Sequence, residues 1–255
     1  IGLNKMLALD ELFRVRGCQN LDPGELQISG IDPVMDSKFK LGEVAAAAHA
    51  SVGVGVNDIW ELKTGRRQKI QISVRSAAAS LRSNKFIEIR QRNGEYQKLV
   101  DKNHEFNRQL NGIYRSKDGR WVLPHFGLNH LRDRMLSLLE ACPDQSSISK
   151  AVLKWDAIDL EKAIAELSLC GGMVRRNSEW LAEPHGKVLS KKPVIEIIKI
   201  GESDPESIPT SSRPLGGVKV LDLTRILAGP IAARTLAEHG ADVLMVTGEN
   251  LPQVH

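Results

Sequence analysis

Aromatic side chains are scarce in this sequence. Phe, Trp and Tyr make up 4% of its 255 residues, so the core has to be filled by Leu, Ile, Val and Ala. Cysteine is scarce too. Cys18, Cys142 and Cys170 are odd in number and far apart, which argues against a disulfide framework or a metal-binding spacing. They read as reduced thiols of a cytoplasmic protein. No apolar run reaches bilayer-spanning length and no signal peptide is visible, so no membrane partner is expected. The chain starts at Ile1 rather than Met, which leaves a mitochondrial or peroxisomal location open. No P-loop, G-x-S-x-G elbow or Cys–His pairing signature is present. His125, His130 and His185 lack ligand spacing, so no metal is expected. The net charge of +4 favours an acidic small ligand and is too mild to argue for nucleic acid.

What is present is most informative between Gly216 and Val246. Residues 218–223 alternate apolar and polar and then turn apolar, as a buried strand does. Gly229-Pro230 opens a helix, with the proline where its missing N–H costs nothing. Gly240 closes that helix, and residues 241–246 begin a second buried run. Strand, helix and strand make a parallel βαβ unit of the Rossmann type. Such a unit aims its helix N-terminus and the carboxyl end of its first strand at one crevice. The residues at that crevice are Thr224, Arg225, Ile226, Leu227, Ala228 and Gly229, which suits an anionic or nucleotide-bearing ligand. Asp222, near the strand end, is expected to hold local backbone rather than react.

The rest reads as alternating helices and short strands. A helix is expected over 5–16, closed by Gly17 and followed by a polar loop, with a turn at Asp32-Pro33. Residues 42–63 form a long helix rich in Ala, with Ser51, Gly53 and Gly55. Its glycines cost on the order of 1 kcal/mol each against alanine, which points to close packing. Gly65 ends it. Residues 69–74 alternate as a strand, and 75–81 begin a helix. Residues 85–110 are charged and mixed, read as strands and an exposed loop. A hairpin turns at Asp118-Gly119. Helices follow at 128–140, 147–153 and 158–167, with Asp156 or Asp159 capping the last, and a short helix capped by Asn177-Ser178. Residues 194–200 read as a β run, and 202–214, rich in Pro, Ser and acids, as a linker.

The string V-x-V-L-D-L-T-R-x-L-A-G-P, followed by L-A-x-x-G-A-D-V, resembles the opening of family III CoA-transferases (the CaiB/BaiF family). Thr64-Gly65-Arg66-Arg67-Gln68, between an Ala-rich helix and a strand, is similar to that family's T-G-R-G-Q loop. Tyr114 to Val122 resembles its Y-x-x-x-D-G-x-W hairpin. In the family the L-T-R-x-L-A-G-P unit comes first; here it comes last. The chain therefore resembles a fragment with displaced half order. The fold expected is α/β, with Rossmann-like parallel βαβ units and a smaller α+β domain. The division expected is 1–111 as a first half, 112–200 as the small domain, 201–214 as linker, and 215–255 as the start of a CoA-binding domain.

The resemblance implies CoA transfer between an acyl-CoA thioester and a carboxylic acid, with CoA thioester as substrate and no permanently bound cofactor. A family aspartate attacks the thioester, passes through a mixed anhydride and then carries CoA itself. Counting back from Thr64 places that carboxylate at Glu43. Its extra methylene adds about 1.5 Å of reach, a misplacement that can cost about a hundredfold in rate. An acid in the first turn of a helix is also favoured simply by the helix dipole. Arg67 replaces the usual glycine, which makes the first half look degenerate and places a regular aspartate beyond residue 255. Arg225, Ile226, Leu227, Ala228, Gly229 and Pro230 are expected beside bound CoA, Gly229 allowing the close approach. His49 is expected to be a packed or surface residue. Acyl-CoA racemase chemistry, needing an acid/base pair, and a silent CoA-binding or dimerisation module are the alternatives. A homodimer or an internal pseudo-dimer is the expected assembly.

Overall fold

The computed structural model describes residues 7–17, 21–98, 102–207 and 209–248. Cys18, the start of the helix expected at residue 5, and residues 249–255 of the last expected segment lie outside them. The chain divides into two compact units, one built from the chain up to Ile87 and again from Pro193, the other from Glu88–Lys192.

The first unit begins with helix α1 (Leu7–Phe13), which tightens into a 3-10 turn at Arg14–Arg16. Strand β1 (Leu26–Ser29) follows. It corrects the expected polar loop: Leu26 and Ile28 alternate inward, but four residues give little local signal, and their pairing partner lies 44 positions on. Helix α2 (Leu41–Thr64) ends at Gly65, whose left-handed backbone (φ 68°) lets its N–H reach the Glu61 carbonyl. Strand β2 (Ile70–Ser73) pairs in parallel with β1, Leu26 against Ile70 through Ser29 against Ser73. Helix α3 (Val74–Ser80) leaves it at once, capped by Ser73, whose Oγ accepts the Ser76 N–H.

Packing in this unit rests on small side chains. Ala45, Ala46, Ala47 and Ala50 of α2 are buried with Leu9, Leu26, Ile28, Val54, Val74 and Ala77. Gly42 explains how close the elements come: a Cβ there would lie 2.4 Å from Val34 Cγ2 and 2.8 Å from Val74 Cγ1. Of the two glycines expected to serve packing, Gly53 faces Ile70, whereas a Cβ on Gly55 would meet open space.

The second unit opens with an exposed antiparallel hairpin, β3 (Glu88–Arg90) and β4 (Tyr96–Lys98). Helix α4 (Lys102–Leu110) corrects the exposed loop read there; its polar composition hides a face on which Asn107 and Leu110 are buried. Strands β5 (Tyr114–Arg115) and β6 (Trp121–Pro124) form the hairpin, closed by the Gly119 N–H on the Ser116 carbonyl. Helices α5 (Asn129–Leu139), α6 (Gln145–Val152) and α7 (Ala157–Glu166) precede β7 (Gly171–Met173), which pairs antiparallel with β6. Asp156 stands at the N-cap of α7 but makes no side-chain cap bond. Helices α8 (Asn177–Ala182) and α9 (Pro184–Leu189) end the unit. The α8 cap position is Arg176 rather than Asn177, and the Glu179 carboxylate accepts the Arg176 N–H at 2.7 Å. Phe126, Met135, Ile148, Leu160 and Ile164 fill this unit's core.

Residues 194–200, expected as a β run, form no strand. Apolar alternation yields a strand only where a neighbour accepts its hydrogen bonds, and Ile200 is 98% exposed. The chain then enters β8 (Lys219–Asp222), helix α10 (Ala228–Glu238) and β9 (Asp242–Met245), with β8 and β9 parallel. The βαβ unit is as expected, but the burial is not. Leu221 and Leu244 pair across the two strands, 62% and 66% exposed, because α10 covers only the other face. Among the described residues no helix is long and apolar enough to cross a membrane.

Candidate functional site

Two places carry the residues singled out by the sequence, and both lie in the first unit. One is the first turn of α2. The Asp32 carboxylate accepts the Glu43 N–H (2.7 Å), the Gly42 N–H (3.2 Å) and the Val34 N–H (3.2 Å). Three donors left open by the helix start and its entry loop are satisfied by one side chain. Glu43 Oε1 lies 3.5 Å from the Asp32 N–H, and Oε2 takes an ion pair from Lys40 Nζ at 3.1 Å. Burial alone would raise the Asp32 carboxyl; the N–H groups of Glu43, Val34 and Gly42, with the Lys40 ammonium, outweigh it and hold it below the usual carboxylate range. Glu43 is thus placed in the first helical turn, as the sequence indicates, with both oxygens engaged. The sequence marks Asp32 only as part of a turn with Pro33, because its partners in α2 lie ten and eleven positions away.

The other place is the loop from Leu223 to Leu227. Asp222 Oδ1 accepts both the Thr224 N–H (2.8 Å) and the Thr224 hydroxyl (2.6 Å), the local backbone role expected of it. Its Oδ2 is buried and has no hydrogen-bond partner among the described residues. Ile226 adopts φ 71°, a conformation that costs a β-branched residue on the order of 1–3 kcal/mol. Leu227 is the N-cap of α10 and supplies no side-chain cap. The N–H groups of Ala228 and Gly229 therefore open the helix uncapped by a side chain, at its positive end. Pro230 is the third helical residue, where an N–H would have no partner within the helix. The guanidinium of Arg225 reaches toward the end of β9: Nη1 would lie 3.9 Å from a Cβ on Gly248. Gly229 is required by its own neighbour, since a Cβ there would lie 2.2 Å from Thr224 Cβ and 2.3 Å from its Oγ1.

The two places are tied to α2 differently. Glu43 sits at its start. Lys63, near its end, donates to the carbonyls of Arg213 (3.3 Å) and Gly216 (3.1 Å) just before β8. Glu43 and Lys63 are twenty residues apart, roughly 30 Å along a helix.

The loop that follows α2 holds a cluster the sequence did not reveal. Arg67 pairs with Glu25 (2.6 Å), Asp58 (3.0 Å) and Glu61 (2.6 Å). Asn57 donates to Glu25 (2.9 Å) and to the Gln68 carbonyl (2.8 Å), and accepts the Gln68 N–H (2.9 Å). Arg16 closes the set on Asp58 at 2.7 Å. Burial would raise the Glu25 carboxyl, but hydrogen bonds from Arg67 and Asn57 hold it below its usual range. The Arg16 hydrogen bond first, and Arg67 after it, does the same for Asp58 against the opposing effect of burial. The signal for this cluster is only Arg67 itself, standing where a glycine was expected. His49 is exposed, with Nε2 2.8 Å from Ser80 Oγ.

The family model described as CoA-transferase family III matches residues 24–190 and 215–253. The chain belongs to that family. This family III chain is 34% identical over 160 residues to the acetyl-coenzyme A transferase nodX of Hypoxylon pulicicidum, covering 56% of the chain and 27% of that protein. It is 29% identical over 261 residues to an acyl-CoA transferase of Gibberella moniliformis, covering 89% and 46%. A CAIB/BAIF family protein from Brucella suis is a structural neighbour, with 14% identity, a TM-score of 0.41, and coverage of 65% of this chain and 48% of that one. The family III chain spans less than half the length of these two curated relatives.

Proposed function

We propose that this chain takes part in CoA transfer between an acyl-CoA thioester and a carboxylic acid, and that residues 225–230 contact the CoA. The observation that carries the reading is the mouth of the β8–α10 turn. There the N–H groups of α10 that no side chain caps and the Arg225 side chain lie at the carboxyl ends of two parallel strands. Helix N-termini in that position suit phosphate-bearing ligands. CoA is the substrate rather than a resident cofactor.

The chemistry follows from a carboxylate nucleophile. Its oxygen attacks the thioester carbonyl and expels CoA thiolate, leaving a mixed anhydride. The thiolate returns to the enzyme carbonyl, releases the first acid and forms an enzyme–CoA thioester. An incoming carboxylate then collects the CoA by the reverse sequence. Glu43 holds the family position, and to act it must release Lys40 and the Asp32 N–H. Those same contacts favour a second reading, in which Glu43 is a cap and this part of the protein binds CoA without supplying the nucleophile.

Titration of the protein with desulfo-CoA tests the loop: binding that weakens at least tenfold in Arg225→Ala supports it, and unchanged binding overturns it. Hydroxylamine trapping after incubation with acyl-CoA separates the two readings. A hydroxamate at Glu43 supports the nucleophile, and CoA binding without an adduct there supports the cap. The assembly, a homodimer or an internal pairing of halves, belongs to the same proposal and is read by sedimentation.

A further inference from the structure

A second groove in the first unit, lined by none of residues 225–230, lies between the Val34–Met35 turn and α3 and measures about 430 Å³. Drug-sized ligand sites begin at roughly 300 Å³. Three cations line it, Arg75, Arg82 and Lys85, and among the described residues no carboxylate does. Their side chains make no hydrogen bond or ion pair among the described residues. Asp32 and Asp36 each lie two positions from Val34; the Asp32 carboxylate is committed to the start of α2, and Asp36 is not among the residues that line the groove.

The spacing is specific. Arg75 stands in the first turn of α3 and Arg82 two residues past its end, and both line the groove. Ala78 and Ala79, three and four positions after Arg75, form a low apolar step between them. Met35, Val34 and Phe86 complete the apolar lining, and Phe86 is 70% exposed. A bare anion would satisfy the guanidinium groups and leave Ala79 and the phenyl ring in water. A neutral alkyl group would do the reverse. Both are satisfied at once by an anion on a hydrocarbon body, since guanidinium groups pair with carboxylate or phosphate in a planar, two-point fashion.

We propose that this groove binds an amphiphilic organic anion, an alkyl chain ending in a carboxylate or a phosphate. The assignment uses none of the residues of the β8–α10 turn and stands whether or not that turn binds CoA.

The test is calorimetric titration of the whole chain with decanoate, decyl phosphate, decanol and inorganic phosphate. The expected result is saturable binding of at least one of the two decyl anions, the tighter one identifying the head group. Decanol and inorganic phosphate bind at least tenfold more weakly. The double variant Arg75→Gln/Arg82→Gln and the single variant Ala79→Glu change exposed positions only, and each weakens the decyl anion at least tenfold with an unchanged circular dichroism spectrum. Desulfo-CoA titrated into the same variants behaves as it does with the parent, which keeps this site distinct from the CoA reading. Equal affinity of the parent and the double variant overturns the proposal. So does inorganic phosphate or decanol binding as tightly as the decyl anions, or desulfo-CoA displacing them.

Discussion

Asp32 and Glu43 hold one another across the start of α2. The Asp32 carboxylate takes the Glu43 N–H at 2.7 Å, and the Glu43 carboxylate comes within 3.5 Å of the Asp32 N–H. This is the reciprocal arrangement of a capping box, assembled from residues eleven apart rather than three. Replacing Asp32 by Ala strands three N–H groups and is expected to lower the melting temperature. Asp32→Asn, which keeps the acceptor oxygens at least in part, lowers it less. Equal melting temperatures for the two variants would remove the cap.

Glu43 separates structure from chemistry. Glu43→Gln keeps an acceptor for the Asp32 N–H and loses only the exposed Lys40 partner, so stability is expected to change by less than about 1 kcal/mol. If Glu43 is the nucleophile, the same variant loses transferase turnover at least a hundredfold. Thermal denaturation and a CoA-transfer assay on the same preparation read both.

Gly42→Ala puts a methyl group where Val34, Val74 and Asp32 already sit. Overpacking of this kind costs about 1–3 kcal/mol. Urea unfolding is expected to show an earlier midpoint with an unchanged slope, because the surface exposed on unfolding is nearly the same.

Arg67 governs stability at low pH. Glu25 and Asp58 both have folded-state values below those of the unfolded chain, so their contribution is present above the unfolded carboxylate range, about pH 4. It is lost as pH falls through the folded values. Arg67→Ala leaves the Glu25 side chain, 4% exposed, without its cation. The expected cost at neutral pH is about 3 kcal/mol, the low end for breaking a buried pair, since 18% of the Arg67 side chain meets water. The variant's stability should depend less steeply on pH below about 4 than that of the parent. A chemical unfolding series from pH 3 to pH 7 checks both.

Gly229→Ala is expected to push Thr224 aside, since no methyl group fits 2.2 Å from its Cβ. Because Thr224 is anchored to Asp222, the loop moves with it. Desulfo-CoA binding should weaken at least tenfold while the far-ultraviolet circular dichroism stays unchanged. Retained affinity would take the loop out of the CoA contact.

Much of the local structure was legible in the residues themselves. The span of α2 follows from its alanine run and from Gly65. The turn at Asp118-Gly119 and the strand–helix–strand order from Lys219 to Met245 follow from glycine, proline and apolar period. These depend on interactions within a few positions, which a linear pattern records. Family membership was equally legible, carried by the string around Thr224 to Pro230.

Long-range partners decided the rest. Leu26–Ser29 is a strand because Ile70–Ser73 lies beside it, and residues 194–200 are not because no such neighbour pairs with them among the described residues. Asp32 became the cap of α2 only when the turn at Pro33 brought it back over Gly42. Arg67 reads as a misplaced residue in the sequence and as the centre of an ion-pair cluster in space. Sequence alone determined which segments could be helix or strand and which family they belong to, since backbone preference and side-chain period are local. Only the tertiary structure decided which charges are satisfied and which surfaces stay open, because burial and hydrogen bonding depend on neighbours the chain meets after folding.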